Sequence, residues 1–216
     1  MNNLENLKGT IAVYKPKGIS SFGMISKLRK LIGVKKIGHA GTLDPLASGV
    51  LVVGIGREAT KELHNSVQAG KEYLANIKLG IESTTDDEEG EKTLVKTDKI
   101  PSLEDVQRII LQFEGKIMQA PPVFSAIKIK GERAYKLARE GKGVVMDKRR
   151  VEVKKIELLK YEWPFLDLRI ETGPGVYIRS IARDIGRELG SGGYLVGLER
   201  TRVGDFRIKD CIVLPS

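Results

Sequence analysis

Two rhythms of apolar and polar positions run along the chain. Thr10 to Tyr14 is a short apolar run, and Lys15-Pro16-Lys17-Gly18 breaks it as a turn, which predicts a strand. Ser20 or Ser21 can cap a helix reaching Ile32, with Gly33 ending it. Val50 to Ile55 is continuously apolar and reads as a buried strand, and Glu72 to Leu79 reads as another. Ser102 and Asp105 have the spacing of a capping box. Behind them Leu103, Val106, Ile109, Ile110 and Phe113 share one helical face. Leu166, Leu168 and Ile170 alternate with Asp167, Arg169 and Glu171, as in a half-buried strand. Ile178, Ile181, Ala182, Ile185 and Leu189 return to helical spacing and stop at Gly190, and Tyr194 to Val203 closes with a strand.

Strands and helices therefore interleave, and an α+β or mixed-sheet α/β fold is expected. The 216 residues hold one sizeable core or two small ones. No composition break separates independent parts, so residues 1–216 are expected to form a single domain. No apolar run approaches the roughly 20 residues of a membrane span. Met1 to Gly9 is polar, without a signal-peptide core. A lone cysteine, Cys211, excludes an intrachain disulfide, and His39 and His64 with it give no zinc spacing. A cytoplasmic, metal-free protein without a membrane partner is expected.

Charge adds a partner. Lys and Arg total 37 against 28 Asp and Glu, a net charge of +9. The distribution says more than the sum. Between Asn6 and Leu43 there are eight basic residues and no acid, a second basic stretch runs from Lys128 to Lys160, and acids gather between Glu82 and Glu91. Such segregation builds a field that attracts phosphate backbones, which favours a nucleic-acid partner over a merely solvated basic face.

Chemistry concentrates in Gly38-His39-Ala40-Gly41-Thr42-Leu43-Asp44-Pro45-Leu46-Ala47-Ser48-Gly49-Val50-Leu51. Glycines allow close backbone approach to a ligand. Asp44 is the only acid between Glu5 and Glu58, and a positive surrounding would keep it ionised as a nucleophile or base. Taken by itself, before any resemblance is considered, it reads more readily as a turn aspartate bonded to its own backbone. His39 could stack on a base or simply hold a loop. Gly38 to Gly41 fits a GXXG loop, a short pattern that recurs at Gly190 to Gly193. Gly173-Pro174-Gly175 leads into a helix start carrying Tyr177 and Arg179, and the arginine could grip a carboxylate or phosphate. Walker A, G-x-G-x-x-G and G-x-S-x-G patterns are absent, which disfavours ATP, NAD or serine-triad chemistry.

In order along the chain, these segments resemble the bacterial tRNA pseudouridine synthases of the TruB type. Val13 to Ser21 is similar to the family's lysine-proline motif, and Gly38 to Leu51 to its aspartate loop. Lys71-Glu72-Tyr73 matches its tyrosine motif, Ala120 to Lys128 the start of its RNA-gripping insertion, and Tyr177-Ile178-Arg179-Ser180 its arginine motif. Phe124 stands where a tyrosine is common, and the chain ends too early for the family's C-terminal RNA-binding (PUA) domain.

The resemblance implies a mixed, mostly antiparallel sheet flanked by helices, with an insertion at 119–145. It implies conversion of uridine to pseudouridine in the T-arm loop of tRNA (position 55), without a cofactor. It makes Asp44 the catalytic carboxylate, Arg179 its partner, Asp87 the support of Arg179, and Tyr73 the ring stacked on uracil. Tyr177 and Leu198 would line the pocket, and His39 would fill the gap left by the flipped base. Lys61, Arg202 and basic residues of the insertion such as Lys128 would meet phosphates. A monomer with no obligatory protein partner is expected. Two other classes compete: an RNA-binding protein without catalysis, which gives Asp44 no role, and a glycosidase-like enzyme, which needs a second facing acid that the sequence does not offer.

Overall fold

The structure, a computed structural model, describes residues 7–125, 127–129, 131–140 and 143–215. The chain forms two compact units that exchange segments. The first unit comprises Met1–Leu74, Glu171–Pro174 and Leu198–Ser216, and the second Ala75–Ile170 and Gly175–Gly197.

The first unit opens with β1 (Gly9–Lys15), α1 (Ser21–Ile32), β2 (Ile37–Ala40), β3 (Ala47–Ile55) and α2 (Arg57–Gln68). β4 (Lys71–Leu79) follows and passes into the second unit. That unit continues with β5 (Ile81–Ser83), β6 (Lys92–Leu94), α3 (Leu103–Leu111) and β7 (Gly115–Gln119). A small β8 (Lys128–Ile129) and β9 (Glu132–Arg133) hairpin and α4 (Ala134–Arg139) come next. Then follow β10 (Arg149–Glu162), β11 (Phe165–Thr172) and α5 (Ile178–Glu188). β12 (Gly193–Val203) returns the chain to the first unit, where β13 (Phe206–Arg207) and a 3-10 turn at Ile208–Asp210 close it.

In the first unit β3 is the centre. β1 runs antiparallel along one edge, from Gly9 opposite Ile55 to Lys15 opposite Gly49. Its other edge is divided: β2 pairs antiparallel with Val52–Ile55, and β12 pairs parallel with residues 47–49. With partners on both edges and apolar side chains on both faces, β3 is buried over almost its whole length, as its unbroken hydrophobic run requires. One face, with Val13, Leu51, Val53 and Ile55, packs on Met24, Ile25 and Leu28 of α1. The opposite face, with Ala12, Val50 and Val52, meets Leu63 of α2. The α1 boundaries follow from its ends. Ser20 accepts from the Gly23 amide at the start, and Gly33 takes a left-handed φ of 69° at the end.

The second unit orders its strands β12-β4-β11-β10-β7. Leu166, Leu168 and Ile170 face inward with Ile77, Leu79, Ile181 and Ile185, all buried. The alternation in β11 thus points to the core as its sequence predicts. Ser102 and Asp105 form a reciprocal capping box at the start of α3. Phe113 lies past the helix end, in a tighter turn where its amide bonds to the Ile110 carbonyl. The fold is mixed α/β with a largely antiparallel sheet, in agreement with the sequence-based expectation. No helix among the described residues is long and apolar enough to cross a membrane.

Candidate active site

The aspartate loop connects β2 to β3. Gly41 turns the chain with a φ of 69°, and the Ser21 hydroxyl then fixes the loop from below. That hydroxyl accepts from the Leu43 amide at 2.8 Å and donates to the Leu43 carbonyl at 3.0 Å. On the far side of Asp44 the Gly18 amide donates to the Pro45 carbonyl at 2.8 Å, and the Ala47 amide to the Asp44 carbonyl at 3.1 Å. The segment that carries the acid is therefore tied down on both sides by the Lys15–Ser21 stretch of the chain.

Among the described residues of this unit three cations are buried. Lys15 is 0%, Arg200 1% and Lys71 7% exposed, so each must find its partners inside the protein. Lys15 Nζ donates to the carbonyls of Pro16 at 3.0 Å and Ile19 at 2.7 Å. Lys71 Nζ donates to those of Val67 at 2.9 Å and Ala69 at 2.8 Å, closing the end of α2. Arg200 donates from Nε to Val50 O at 2.8 Å and from Nη2 to Gly41 O at 2.9 Å. One guanidinium thereby spans the chain before and after Asp44. At Gly49 a Cβ would lie 2.2 Å from the Arg200 carbonyl, so β3 and β12 approach this closely only through a glycine.

Burial pushes Lys15 down to about 8, opposed by the Asp44 carboxylate and reinforced by Arg200. Burial, with Arg200 second, also brings Lys71 to about 8. Tyr73 is buried at the start of β4. Burial raises its pKa against the pull of Arg200, and the Asp44 charge adds to the rise, so the phenol is neutral at neutral pH. His39, half-buried on β2, has its pKa lowered by burial and then by Arg200, and presents a neutral imidazole. The Asp44 charge thus acts on both Lys15 and Tyr73 within this unit.

The second unit holds the arginine motif. Arg179, on the first turn of α5, donates from Nη1 to Asp87 Oδ2 at 3.2 Å and to Thr85 O at 3.1 Å. Its Nη2 donates to Phe124 O at 3.1 Å. Both partners of the ion pair are buried, which leaves the guanidinium plane little freedom. The pairing of Asp87 with Arg179, implied by the resemblance, is present in the structure. Beside it, Arg183 bridges Asp86 and Asp184, each at 2.8 Å.

The remaining residues lie as follows. Tyr177 caps α5 and is half-buried, and Leu198 is half-buried on β12, opposite Ala47. Arg202 pairs with Glu171 at 2.9 Å. Lys61 stands exposed on α2, 3.8 Å from Glu58. Lys128 lies on β8, and its side chain falls outside the described residues. Nothing in the sequence marks Lys15, Lys71 or Arg200 individually as site residues. A charged residue in a strand reads as solvent-facing, and only the register with Leu198 and Arg202, two positions away on either side, hinted that Arg200 shares their face. Among the described residues no group of three or more His, Cys, Asp or Glu could hold a metal ion.

Fold and loop together define a class: a mixed α/β protein with an anchored loop acid beside buried cations. Comparison with known proteins narrows it. Residues 29–178 match the TruB family pseudouridylate synthase (N terminal domain). Over 208 residues the chain is 45% identical to tRNA pseudouridine synthase B of Protochlamydia amoebophila (strain UWE25), covering 96% of this chain and 78% of that protein. It is 49% identical over 208 residues to tRNA pseudouridine synthase B of Ehrlichia chaffeensis (strain ATCC CRL-10679 / Arkansas), covering 95% and 70%. Among solved structures, a chain of a Cbf5-Nop10-Gar1 complex superposes with a TM-score of 0.75 at 31% identity, over 98% of this chain. A chain of an H/ACA RNP bound to a substrate RNA gives 0.70 at 29%, over 95%. The chain spans about half the length of these two structural neighbours, 53% and 50%. The chain belongs to the TruB family of pseudouridylate synthases.

Proposed function

We propose that this chain converts uridine to pseudouridine in the T-arm loop of tRNA, at position 55, with Asp44 as the catalytic carboxylate. The observation that carries this reading is the setting of Asp44: an anchored loop acid in electrostatic contact with Lys15 and Tyr73, in a unit that also buries Lys71 and Arg200. The tRNA substrate is taken from the relatives, which are tRNA pseudouridine synthases by name.

The reaction balances within the substrate. The C1′–N1 bond breaks, uracil turns, C5 joins C1′, the C5 proton leaves and N1 takes one up. Neither a redox partner nor an energy source is required. The Asp44 carboxylate serves either route to bond cleavage, attack at C1′ or removal of the C2′ proton. Arg179, held by Asp87, Thr85 and Phe124, supplies the guanidinium that the family motif assigns to the carboxylate. Tyr73 stacks on the extruded uracil as a neutral phenol, and Tyr177 and Leu198 line its pocket. The neutral His39 ring fills the space that the base vacates. Lys61, Arg202 and Lys128 meet phosphates, and the protein acts as a monomer in the cytoplasm.

The decisive assay uses a T-arm stem-loop carrying tritium at uracil C5. Wild type should release tritium to water, and Asp44→Asn should bind the RNA without releasing it. Release by Asp44→Asn at the wild-type rate would remove the carboxylate from the mechanism. Silence of both proteins on stem-loop and whole tRNA, with RNA bound, would favour a binding protein instead.

A further inference from the structure

Where the 119–145 insertion leaves the sheet and where the chain returns to it, two side chains close on the same residue. Gln119 ends β7, and Arg149 begins β10 directly opposite it in the antiparallel ladder. Gln119 is buried, and its amide makes two bonds to the backbone of Tyr177. Nε2 donates to the Tyr177 carbonyl at 3.1 Å, and Oε1 accepts from the Tyr177 amide at 2.8 Å. Arg149 takes the ring of the same residue. Its guanidinium carbon lies 5.1 Å from the ring centroid, and Nη2 donates to Gly175 O at 2.6 Å, two residues before Tyr177.

We infer that Gln119 and Arg149 are positioning residues that hold Tyr177, and with it the first turn of α5, in the geometry the uracil pocket uses. The assignment rests on the reading of Tyr177 as a pocket wall. Tyr177 is the N-cap of α5 and has no side-chain cap bond of its own. Its carbonyl already accepts from the Ile181 amide. The Gln119 amide therefore satisfies an otherwise orphaned amide at the helix start and fixes the backbone from which the ring projects. A primary amide is the side chain that can donate to C=O and accept from N–H of one residue at once. The guanidinium then restrains ring rotation by a cation–π contact.

Further bonds join the outgoing limb to the same helix. Ser180 Oγ donates to Ala120 O at 2.9 Å, Arg183 Nη2 to the same carbonyl at 3.0 Å, and Arg179 Nη2 to Phe124 O. Thus Arg179, Ser180 and Arg183, in the first two turns of α5, are bonded to the carbonyls of Ala120 and Phe124 on that limb. Displacement of residues 119–124 is transmitted to Tyr177 and Arg179 through these bonds.

The test combines turnover with a signal from the ring itself. Full-length wild type, Gln119→Met, Arg149→Leu, Tyr177→Ala and the Arg149→Leu/Tyr177→Ala pair are assayed on the tritiated T-arm stem-loop. Gln119→Met should lower kcat by about tenfold or more with RNA affinity within about threefold, since the phosphate contacts lie elsewhere. Arg149→Leu should lower kcat by about three- to tenfold in the wild-type background and by less than twofold beside Tyr177→Ala, because its partner ring is then gone. A purely structural role would cost the same in both backgrounds, and that result overturns the assignment. In protein labelled at the tyrosine rings, the Tyr177 resonance should shift in both Gln119→Met and Arg149→Leu. An unmoved resonance also overturns it, whether or not any variant is active and even if Gln119→Met does not fold, since Arg149 is only half-buried. Inactive wild type would instead count against the proposed reaction, while the ring signal would still judge the clamp.

Discussion

Ser21→Ala removes one oxygen and tests how the aspartate loop is held. The Ser21 side chain is buried, accepts from the Leu43 amide and donates to the Leu43 carbonyl, one residue before Asp44. Alanine leaves both backbone groups in the interior with no partner. Each such loss costs about 1–3 kcal/mol, and the carbonyl is the cheaper of the two. Relief from burying the hydroxyl offsets part of the sum, and a net loss of about 2–3 kcal/mol is expected. For a chain of this length each kcal/mol shifts Tm by about 2–4 °C, so Tm should fall by about 4–12 °C. The helix start is not a confounder, because the α1 cap is Ser20, which bonds the Gly23 amide independently. If the hydroxyl sets the direction of Asp44, tritium release should drop by about tenfold or more, equivalent to roughly 1.4 kcal/mol of transition-state stabilisation. RNA affinity should stay near wild type, and Ser21→Thr, which keeps the hydroxyl, should recover part of both losses. A Tm within about a degree of wild type would refute the energetic argument. A lowered Tm with unchanged kcat would show that the loop takes its catalytic geometry from other anchors.

Other expectations concern the close approach at β3 and the buried lysines. Gly49→Ala places a Cβ 2.2 Å from the Arg200 carbonyl at a φ of 108°, and it should cost about 3 kcal/mol or more in chemical denaturation. An unperturbed denaturation midpoint would mean that the two strands separate freely. Lys71 has a folded pKa lowered to about 8 from 10.5. Between those values the unfolded chain holds a proton that the folded chain lacks, so this lysine makes stability rise with pH in that window. The stability difference between wild type and Lys71→Met should therefore move in favour of wild type from pH 8 upward. A difference that is flat with pH would place a fully solvated or fully compensated ammonium at that position.

Local signals in the chain account for much of the architecture. The cap at Ser20, the stop at Gly33, the Ser102–Asp105 box and the alternation in β11 depend on residues only a few positions apart, and each reappears in the structure. α2 has no legible apolar stripe because its residues are mostly polar, with Ala59 and Leu63 alone buried. β10 is no more legible, because its basic and acidic residues mask the inward Val151, Val153 and Ile156. One of its edges pairs with β7, from Arg149 opposite Gln119 to Val153 opposite Gly115, an interaction no local window contains, and the other pairs with β11. Asp44 stood out for the opposite reason, as a lone acid between glycines in a basic segment.

What the amino-acid order settles alone is therefore short-range: element types, helix ends, the glycine-rich acid loop, the motif series that resembles a family and the basic charge that suits RNA. Tertiary structure decides which charges go inside. Lys15, Lys71 and Arg200 look like surface residues until β1, β3, β4 and β12 are assembled and their cations meet backbone carbonyls. Gln119, Arg149 and Tyr177 come together only when the β7–β10 ladder sets its register beside α5. The physical reason is the same in each case. Whether a charge or an amide is costly or useful depends on partners distant in sequence, and the folded chain alone supplies them.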